Sequence, residues 1–226
     1  MGDVHMLELW EEVCQLASTI KFSEEEDSMI WQFSSKGIYN VQSLYKIINF
    51  RGIQPVLVSS VWDIKIPPRV QYFLWLLSKN KLLTRDNLGK RRKVEDSTCL
   101  FCKEQESLNH LFFDCVVAKQ LWEVLSSIFG IQLGNSLDNI GKFWLSNKRN
   151  GVLNICTSAA VWSLWKLRND LCFQRKMWRS MAILLFNMAV MLQNWIILCP
   201  EEKEDLKQKV LLIKTEATQV SWLRWK

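Results

Sequence analysis

Four side chains that bind soft metal ions lie within a span of 17 residues. Two cysteines are separated by two residues, a histidine follows after seven more, and a third cysteine after another four: Cys99, Cys102, His110 and Cys115. Three thiolates and one imidazole are the ligand set of a closed structural zinc site, with no coordination position open for a substrate. The sequence therefore predicts one structural Zn²⁺ ion. The alternative is three buried cysteines that bind no metal, because free cysteine is often a core residue.

The positive charge of the chain is concentrated just before these four residues. The whole chain has a net charge of +6, whereas residues 65–93 carry +8 and leave −2 for the remainder. Nine basic residues and one acid, Asp86, produce this local excess: Lys65, Arg69, Lys79, Lys81, Arg85, Lys90, Arg91, Arg92 and Lys93. A concentrated positive segment can contact nucleic-acid phosphates. It can also be an ordinary solvated face.

Composition indicates a globular protein of a reducing compartment. Hydrophobic residues make up 49% of the 226 residues and charged residues 23%. The first residues, MGDVHMLELWEEV, are acidic and amphipathic, so no signal peptide, transit peptide or lipid anchor is recognised. We therefore expect a nuclear or cytoplasmic location, in which the remaining cysteines are free thiols: Cys14, Cys156, Cys172 and Cys199.

Hydrophobic periodicity predicts a mainly α-helical fold with a small β-hairpin. The hairpin is predicted over residues 30–40, around a turn at Gly37. Helices are predicted where apolar residues recur at three- and four-residue steps: 4–19, 41–50, 69–78, 84–92, 116–129, 152–174 and from Pro200 onward.

Residues 180–200 contain no charged side chain and are long enough to cross a bilayer. Asn187, Gln193 and Asn194 interrupt the run, and such amides are costly in lipid. Asn187 and Asn194 also share one helical face, as expected for a helix with one polar side. Membrane insertion of this segment is therefore not expected.

Several ordered motifs resemble a known family. They are W-x-F-S-S-K-G-I-Y-N-V-Q-S-L-Y (31–45), V-W-D-I-K-I-P-P-R-V-Q-Y-F-L-W (61–75), L-L-T-R-D-N-L (82–88) and C-L-F-C…N-H-L-F-F-D-C…L-W (99–122). Together they resemble the zinc-binding domain that follows the reverse transcriptase in plant non-LTR (LINE-type) retrotransposon polyproteins. A further piece, A-V-W-S-L-W-K-L-R-N-D-L-C-F (160–173), is similar to the W…W-x-x-R-N segment that often follows this domain.

The resemblance implies a domain division and a ligand set. It places a reverse-transcriptase-type zinc-binding domain with an N-terminal helix at residues 1–130, with the core match at 31–122. From their Gly, Asn and Ser content, residues 131–151 are expected to form a connector to a helical C-terminal region at 152–226. In the family the Cys-Cys-His-Cys set is taken as the zinc ligands, and it carries over to Cys99, Cys102, His110 and Cys115.

Catalytic signatures are missing from the sequence. It contains no F/Y-x-D-D tetrapeptide for two magnesium ions and no Gly-rich phosphate loop. It has only two histidines, His5 and His110, and the second is assigned to zinc. We therefore expect a retrotransposon-derived protein that is not an enzyme and has no small-molecule substrate.

Two binding functions remain as hypotheses. In the first, RNA or DNA contacts the basic segment 65–93, through Arg69, Lys79, Lys81, Arg85, Lys90, Arg91, Arg92 and Lys93. Aromatic residues beside them could stack on bases if exposed, although their spacing also fits buried helix stripes: Trp62, Tyr72, Phe73, Trp75 and Phe101. In the second, a host protein binds the helices of residues 152–222, which carry Trp162, Trp165, Trp178, Trp195 and Trp222.

Overall fold

The structure is a computed structural model that describes residues 2–19, 29–32, 34, 36–48, 60–174 and 178–219. Within the helices, the side chains of 2–5, 46–48 and 146–148 are not described. The chain divides into two compact units, Met1–Gln54 and Pro55–Lys226. The acidic residues 23–28 and Trp222 lie outside the described residues.

The first unit contains two helices, α1 (Gly2–Ser18) and α2 (Val41–Ile48). Asn40 caps α2, because its side-chain oxygen accepts a hydrogen bond from the Ser43 N–H at 2.7 Å. The apolar side chains of α1 that the periodicity assigned to a buried face are exposed, as in Leu7 and Trp10.

The predicted hairpin at residues 30–40 is not confirmed. The described part of this segment forms a turn in which the Trp31 N–H donates to the Gly37 carbonyl at 2.7 Å, and it contains no strand. Trp31 and Tyr39 meet edge to face, with ring centroids 5.0 Å apart. An isolated two-stranded ladder is marginal in water, so the turn and an aromatic contact form without one.

The second unit is helical, in agreement with the predicted mainly helical fold. Its helices are α3 (Pro68–Ser78), α4 (Arg85–Gly89), α5 (Val116–Phe129), α6 (Leu137–Gly141), α7 (Asn147–Phe173), α8 (Met181–Trp195) and α9 (Lys203–Gln219). A π-helix at His110–Asp114 and short 3₁₀ turns at Val61–Asp63, Trp144–Ser146 and Ile196–Leu198 lie between them. Among the described residues of this unit, Thr98 and Gln105 form an isolated antiparallel β-bridge.

The limits of these helices follow from a few local residues. Proline occupies the first position of α3, where its missing N–H removes no hydrogen bond. Gly130 ends α5 in the left-handed region at φ 66°, a conformation that glycine adopts without steric cost. The Ser180 side chain accepts a hydrogen bond from the Ile183 N–H and caps α8.

Aromatic rings join the π-helix to α3 and α7. Phe73 of α3 lies 6.0 Å from Phe112 of the π-helix and 5.0 Å from Trp162 of α7, measured between ring centroids. Trp165 of α7 lies 6.4 Å from Phe112. Such clusters combine apolar burial with favourable edge-to-face contacts. The segment that carries the predicted metal ligands therefore packs directly against a C-terminal helix.

A buried ion pair strengthens the same connection. Arg168 of α7 donates from Nη2 to Glu106 Oε1 at 2.7 Å and from Nε to Glu106 Oε2 at 3.2 Å. Both side chains are almost fully buried, with 3% and 0% exposed. Within the second unit, residues on both sides of the predicted connector at 131–151 belong to one hydrophobic core.

Helix α8 and the turn after it are long and apolar enough to cross a membrane by length and composition. Over Met181–Leu198 the mean hydropathy is 1.9, and 39% of this span is buried within the protein. The buried side of α8 packs against α7 and α9. Asn187 and Asn194 lie on its exposed side.

We expect Arg168→Met to lower the free energy of unfolding by about 3–5 kcal/mol, because it leaves the Glu106 carboxylate buried without its cation. Chemical denaturation followed by circular dichroism measures the loss. The double variant Glu106→Leu, Arg168→Met removes both charges and should recover much of the stability. A double variant as unstable as Arg168→Met would contradict the ion-pair account.

Candidate metal centre

The first two cysteines lie on a turn closed by backbone hydrogen bonds. The Cys99 N–H donates to the Glu104 carbonyl at 2.7 Å, and the Glu106 N–H donates to the Ser97 carbonyl at 2.9 Å. The Thr98–Gln105 bridge lies between these two bonds. This pairing folds residues 99–104 into a tight loop, so that Cys99 and Cys102 face the same point.

A single turn of π-helix presents the other two ligands. The Cys115 N–H donates to the His110 carbonyl at 2.8 Å, which is the i to i+5 bond of a π-helix. Residues five apart are about 140° apart around an α-helix, at 3.6 residues per turn, and would point in different directions. At the π-turn the donor atoms of His110 and Cys115 instead lie within 4.8 Å of each other. The H-x4-C spacing is thus satisfied by a local change in helix type.

The four donor atoms converge on one point. The three sulfurs and the imidazole nitrogen all lie within 4.8 Å of one another. Cys99 Sγ and Cys115 Sγ are 3.8 Å apart, and Cys102 Sγ lies 3.1 Å from His110 Nε2. Two sulfurs that share a tetrahedral zinc at its usual bond length would be about 3.8 Å apart. The donor set fits a four-coordinate ion.

The thiols interact strongly with one another. Hydrogen bonds from the Cys115 thiol and the Phe101 N–H lower the pKa of Cys99 to about 5. Donation to Cys99, together with burial, raises the pKa of Cys115. Burial raises the pKa of Cys102. The cluster holds one thiolate readily, whereas ionisation of the others requires a cation among them.

Glu104 orients the imidazole from outside the cluster. Its Oε2 atom lies 3.1 Å from His110 Nδ1, on the ring edge opposite Nε2. A carboxylate that accepts the Nδ1 proton leaves the lone pair on Nε2, the nitrogen that faces the sulfurs. The His110 ring is buried to 7% exposure, while the Glu104 side chain is 74% exposed.

The structure divides the predicted nucleic-acid-binding residues into two groups. Arg85 is engaged within the fold, because Nη1 contacts the Asp96 carboxylate at 2.8 Å and only 16% of the side chain is exposed. The other seven predicted residues are exposed: Arg69, Lys79, Lys81, Lys90, Arg91, Arg92 and Lys93. Lys65, counted in the charge of the segment, pairs with Glu201 at 2.9 Å and Glu202 at 3.6 Å.

A buried asparagine connects the turns that follow α3 and α4, which carry the exposed cations. The Asn87 side-chain amide donates to the Asn80 carbonyl and side-chain oxygen, at 3.1 and 2.9 Å, and to the Leu82 carbonyl at 2.9 Å. Its own oxygen accepts from Lys90 Nζ at 2.8 Å. The turn that carries Lys79 and Lys81 is therefore fixed against the end of α4. We refer to Lys79, Lys81, Lys90, Arg91, Arg92 and Lys93 as the basic surface.

The five aromatic residues named beside the basic segment differ in exposure. Phe73 is buried, and Trp75 and Phe101 are half-buried. Tyr72 is 54% exposed and Trp62 is 49% exposed. Three of the five rings are therefore covered by packing, and only Tyr72 and Trp62 are freely exposed for stacking on bases.

Comparison with known proteins agrees with this geometry. Residues 39–122 match the family described as zinc-binding in reverse transcriptase. These residues are therefore similar to the zinc-binding domain of reverse-transcriptase proteins. The match contains all four converging residues, and it confirms the resemblance over most of the predicted core match at 31–122.

The curated relative is a much longer protein. The chain is 29% identical over 101 residues to the "Putative ribonuclease H protein" of Arabidopsis thaliana, an alignment that covers 42% of this chain. The chain spans 16% of the length of that relative. No solved structure matches the chain.

Three residues around the centre were missed by reasoning from ligand spacing. Glu104 and Glu106 lie in the ligand loop but are not ligands in the cluster, and Arg168 is far away in sequence. The sequence contains one weak indication that Arg168 is important, since it is the arginine of the W-x-x-R-N segment. Nothing in the sequence indicates that its partner is Glu106.

We expect Cys102→Ala or His110→Ala to abolish stoichiometric metal binding and to unfold residues ~60–125, because a bound structural ion contributes on the order of 10 kcal/mol to folding in small zinc units. Elemental analysis and circular dichroism measure both effects. Cys172→Ala, at another half-buried cysteine, is the matched control and should retain the metal. Unchanged metal content in His110→Ala would exclude the assignment.

Glu104→Gln should weaken metal affinity about 10- to 100-fold without unfolding the metal-loaded protein, because the imidazole loses its oriented carboxylate. Competition with a chromophoric chelator measures the affinity. Glu95→Gln, an exposed acid in the preceding loop, should leave it unchanged. Equal affinities for the Glu104 and Glu95 variants would show that Glu104 does not orient the ring.

Proposed function

We propose that this protein is a retrotransposon-derived, non-catalytic binding protein in which one Zn²⁺ ion supports a surface that contacts RNA or DNA. The observation that carries the proposal is the Asn87 arrangement, which joins Asn80, between Lys79 and Lys81, to Lys90, the first residue of the run Lys90–Lys93. Clustered cations that are exposed and held in place offer phosphate contacts.

Zinc is the proposed ion because of its ligands. Thiolates with one imidazole, at tetrahedral spacing and without a carboxylate in the set, favour zinc over magnesium, calcium or manganese. With all four positions filled by the protein, the ion would order the loop and leave no site for an activated water.

The metal and the basic surface are linked through Glu106. The Glu106 carboxylate accepts a hydrogen bond from the Arg85 N–H at 2.9 Å, and its carbonyl accepts from the Asp86 N–H at 3.2 Å. Glu106 thus connects the first turn of α4 to the metal loop. Loss of the ion should therefore disturb the position of Lys90–Lys93 at the other end of α4.

A protein partner is the second candidate, and a groove between α7 and α8 supports it. The groove has a volume of about 820 Å³ and contains apolar and polar side chains, among them Leu167, Val190, Asn187 and Asn194. The predicted tryptophans contribute little free surface, since Trp195 is buried and Trp162, Trp165 and Trp178 are half-buried. Binding of a partner through the apolar side chains of this groove should depend little on salt.

We expect the double variant Arg91→Glu, Arg92→Glu to weaken binding of a labelled RNA or DNA oligonucleotide by at least tenfold at low salt. Two negative side chains, which repel phosphates, would replace two cations that attract them. Fluorescence anisotropy over a salt series should also show a shallower salt dependence. The slope of log affinity against log salt should fall by about 0.7–0.9 for each phosphate that the protein no longer neutralises.

The matched control is Lys119→Glu with Lys203→Glu, which changes the net charge equally at two exposed lysines away from the basic surface. It should retain most of the affinity. If both double variants bind equally well, the basic surface is not the contact. Salt-independent capture of a protein by both variants would favour the second candidate.

A further inference from the structure

We propose that the exposed face of α3 is a stacking platform for unpaired nucleobases, so that the protein binds single-stranded RNA or DNA in preference to duplex. The exposed Tyr72 ring forms the platform, and the half-buried Trp75 ring supports it. This inference rests on the proposed nucleic-acid function and specifies the form of nucleic acid that the basic surface would hold.

The two rings form a stacked pair at the surface. Their centroids are 5.6 Å apart and their planes are inclined by 25°. Tyr72 nevertheless remains 54% exposed, while Trp75 is half-buried beneath it. A large aromatic side chain that is supported on one side and accessible to solvent is already ordered, so a base that stacks on it costs little side-chain entropy.

Helix geometry places Lys79 on the same face as Tyr72 and Arg69 at the edge of that face. The buried side of α3 is formed by Val70, Phe73, Leu74 and Leu77. At about 100° per residue, Tyr72 and Lys79 fall on the opposite side, about 20° apart. Arg69 lies at the edge of that side, about 60° from Tyr72, and lines the groove beside α7 and α8. Arg69 and Lys79 are separated by about 15 Å along the helix, at 1.5 Å per residue. The ring therefore has a cation on each side of it along the axis.

The platform continues into the basic surface. Lys79 follows the last residue of α3, and the next turn is the one that Asn87 fixes against α4. A nucleic-acid backbone that leaves Tyr72 in the direction of Lys79 meets Lys81 and then Lys90–Lys93. Stacking and phosphate contacts are thereby arranged in sequence along one path.

This arrangement suits a single strand because of base accessibility. In a duplex the bases stack on each other and present only their edges, so that a flat ring on a helix surface has nothing to stack on. An unpaired strand can turn its bases onto aromatic side chains while its phosphates follow a positive surface. Every base has a π face, so little sequence preference is expected.

The test uses the full chain with its metal bound. Three labelled probes of the same sequence are compared: single-stranded RNA, single-stranded DNA and duplex DNA. Each is about 20 nucleotides long, which exceeds the site size of one small single-strand-binding fold. Tyr72→Ala should weaken binding to single strands about 5- to 150-fold, the effect of removing one base–aromatic stack, and leave duplex binding unchanged. Tyr72→Phe should retain affinity. The salt slope should not change, because stacking neutralises no phosphate.

Phe186→Ala is the matched control, because Phe186 is a similarly exposed aromatic residue on α8, at 52%. Tyr72→Leu preserves apolar contact with Trp75 and separates loss of the ring from loss of packing. If Tyr72→Ala weakens single-strand and duplex binding equally, or weakens neither, the stacking platform is excluded. The proposal that the basic surface binds nucleic acid is not affected by that result. Absence of binding to all three probes by the unaltered protein would overturn both proposals.

Discussion

The carboxylate of Glu106 connects three parts of the second unit: the ligand loop, the start of α4 and helix α7. It is fully buried, and its two oxygens are occupied by Arg168 of α7 and by the N–H that begins α4. A buried charge is tolerated only when its partners are fixed. The ligand loop, the basic helix end and the long C-terminal helix must therefore adopt one mutual arrangement. The W-x-x-R-N arginine is explained by this requirement.

The metal centre shows how local backbone geometry completes a ligand set. A closed turn aims Cys99 and Cys102, and one turn of π-helix aims His110 and Cys115. Neither half would bind an ion tightly alone. Packing of Phe112, which belongs to the π-helix, against Phe73 and Trp165 holds the second half in place. Core packing and metal coordination thus support the same segment.

The basic surface depends on a neutral residue. Asn87 uses its amide to fix two turns and its oxygen to hold Lys90, and in doing so it offsets none of the surrounding positive charge. These cations repel one another in the folded state, and their described contacts include no matching set of acidic residues. Such self-repulsion opposes the compact state, so the hydrogen bonds of Asn87 act against it.

The sequence by itself determined the four ligands, the helical class and the family resemblance, because each depends on residue type and short spacing. Helix boundaries such as Gly130 and Pro68 were readable for the same reason. Tertiary structure decided the rest. It engaged Arg85 within the fold, exposed Tyr72 while burying Phe73, and paired Arg168 with Glu106 across 62 residues of sequence. Those outcomes depend on which helix faces meet, and no local pattern encodes that choice.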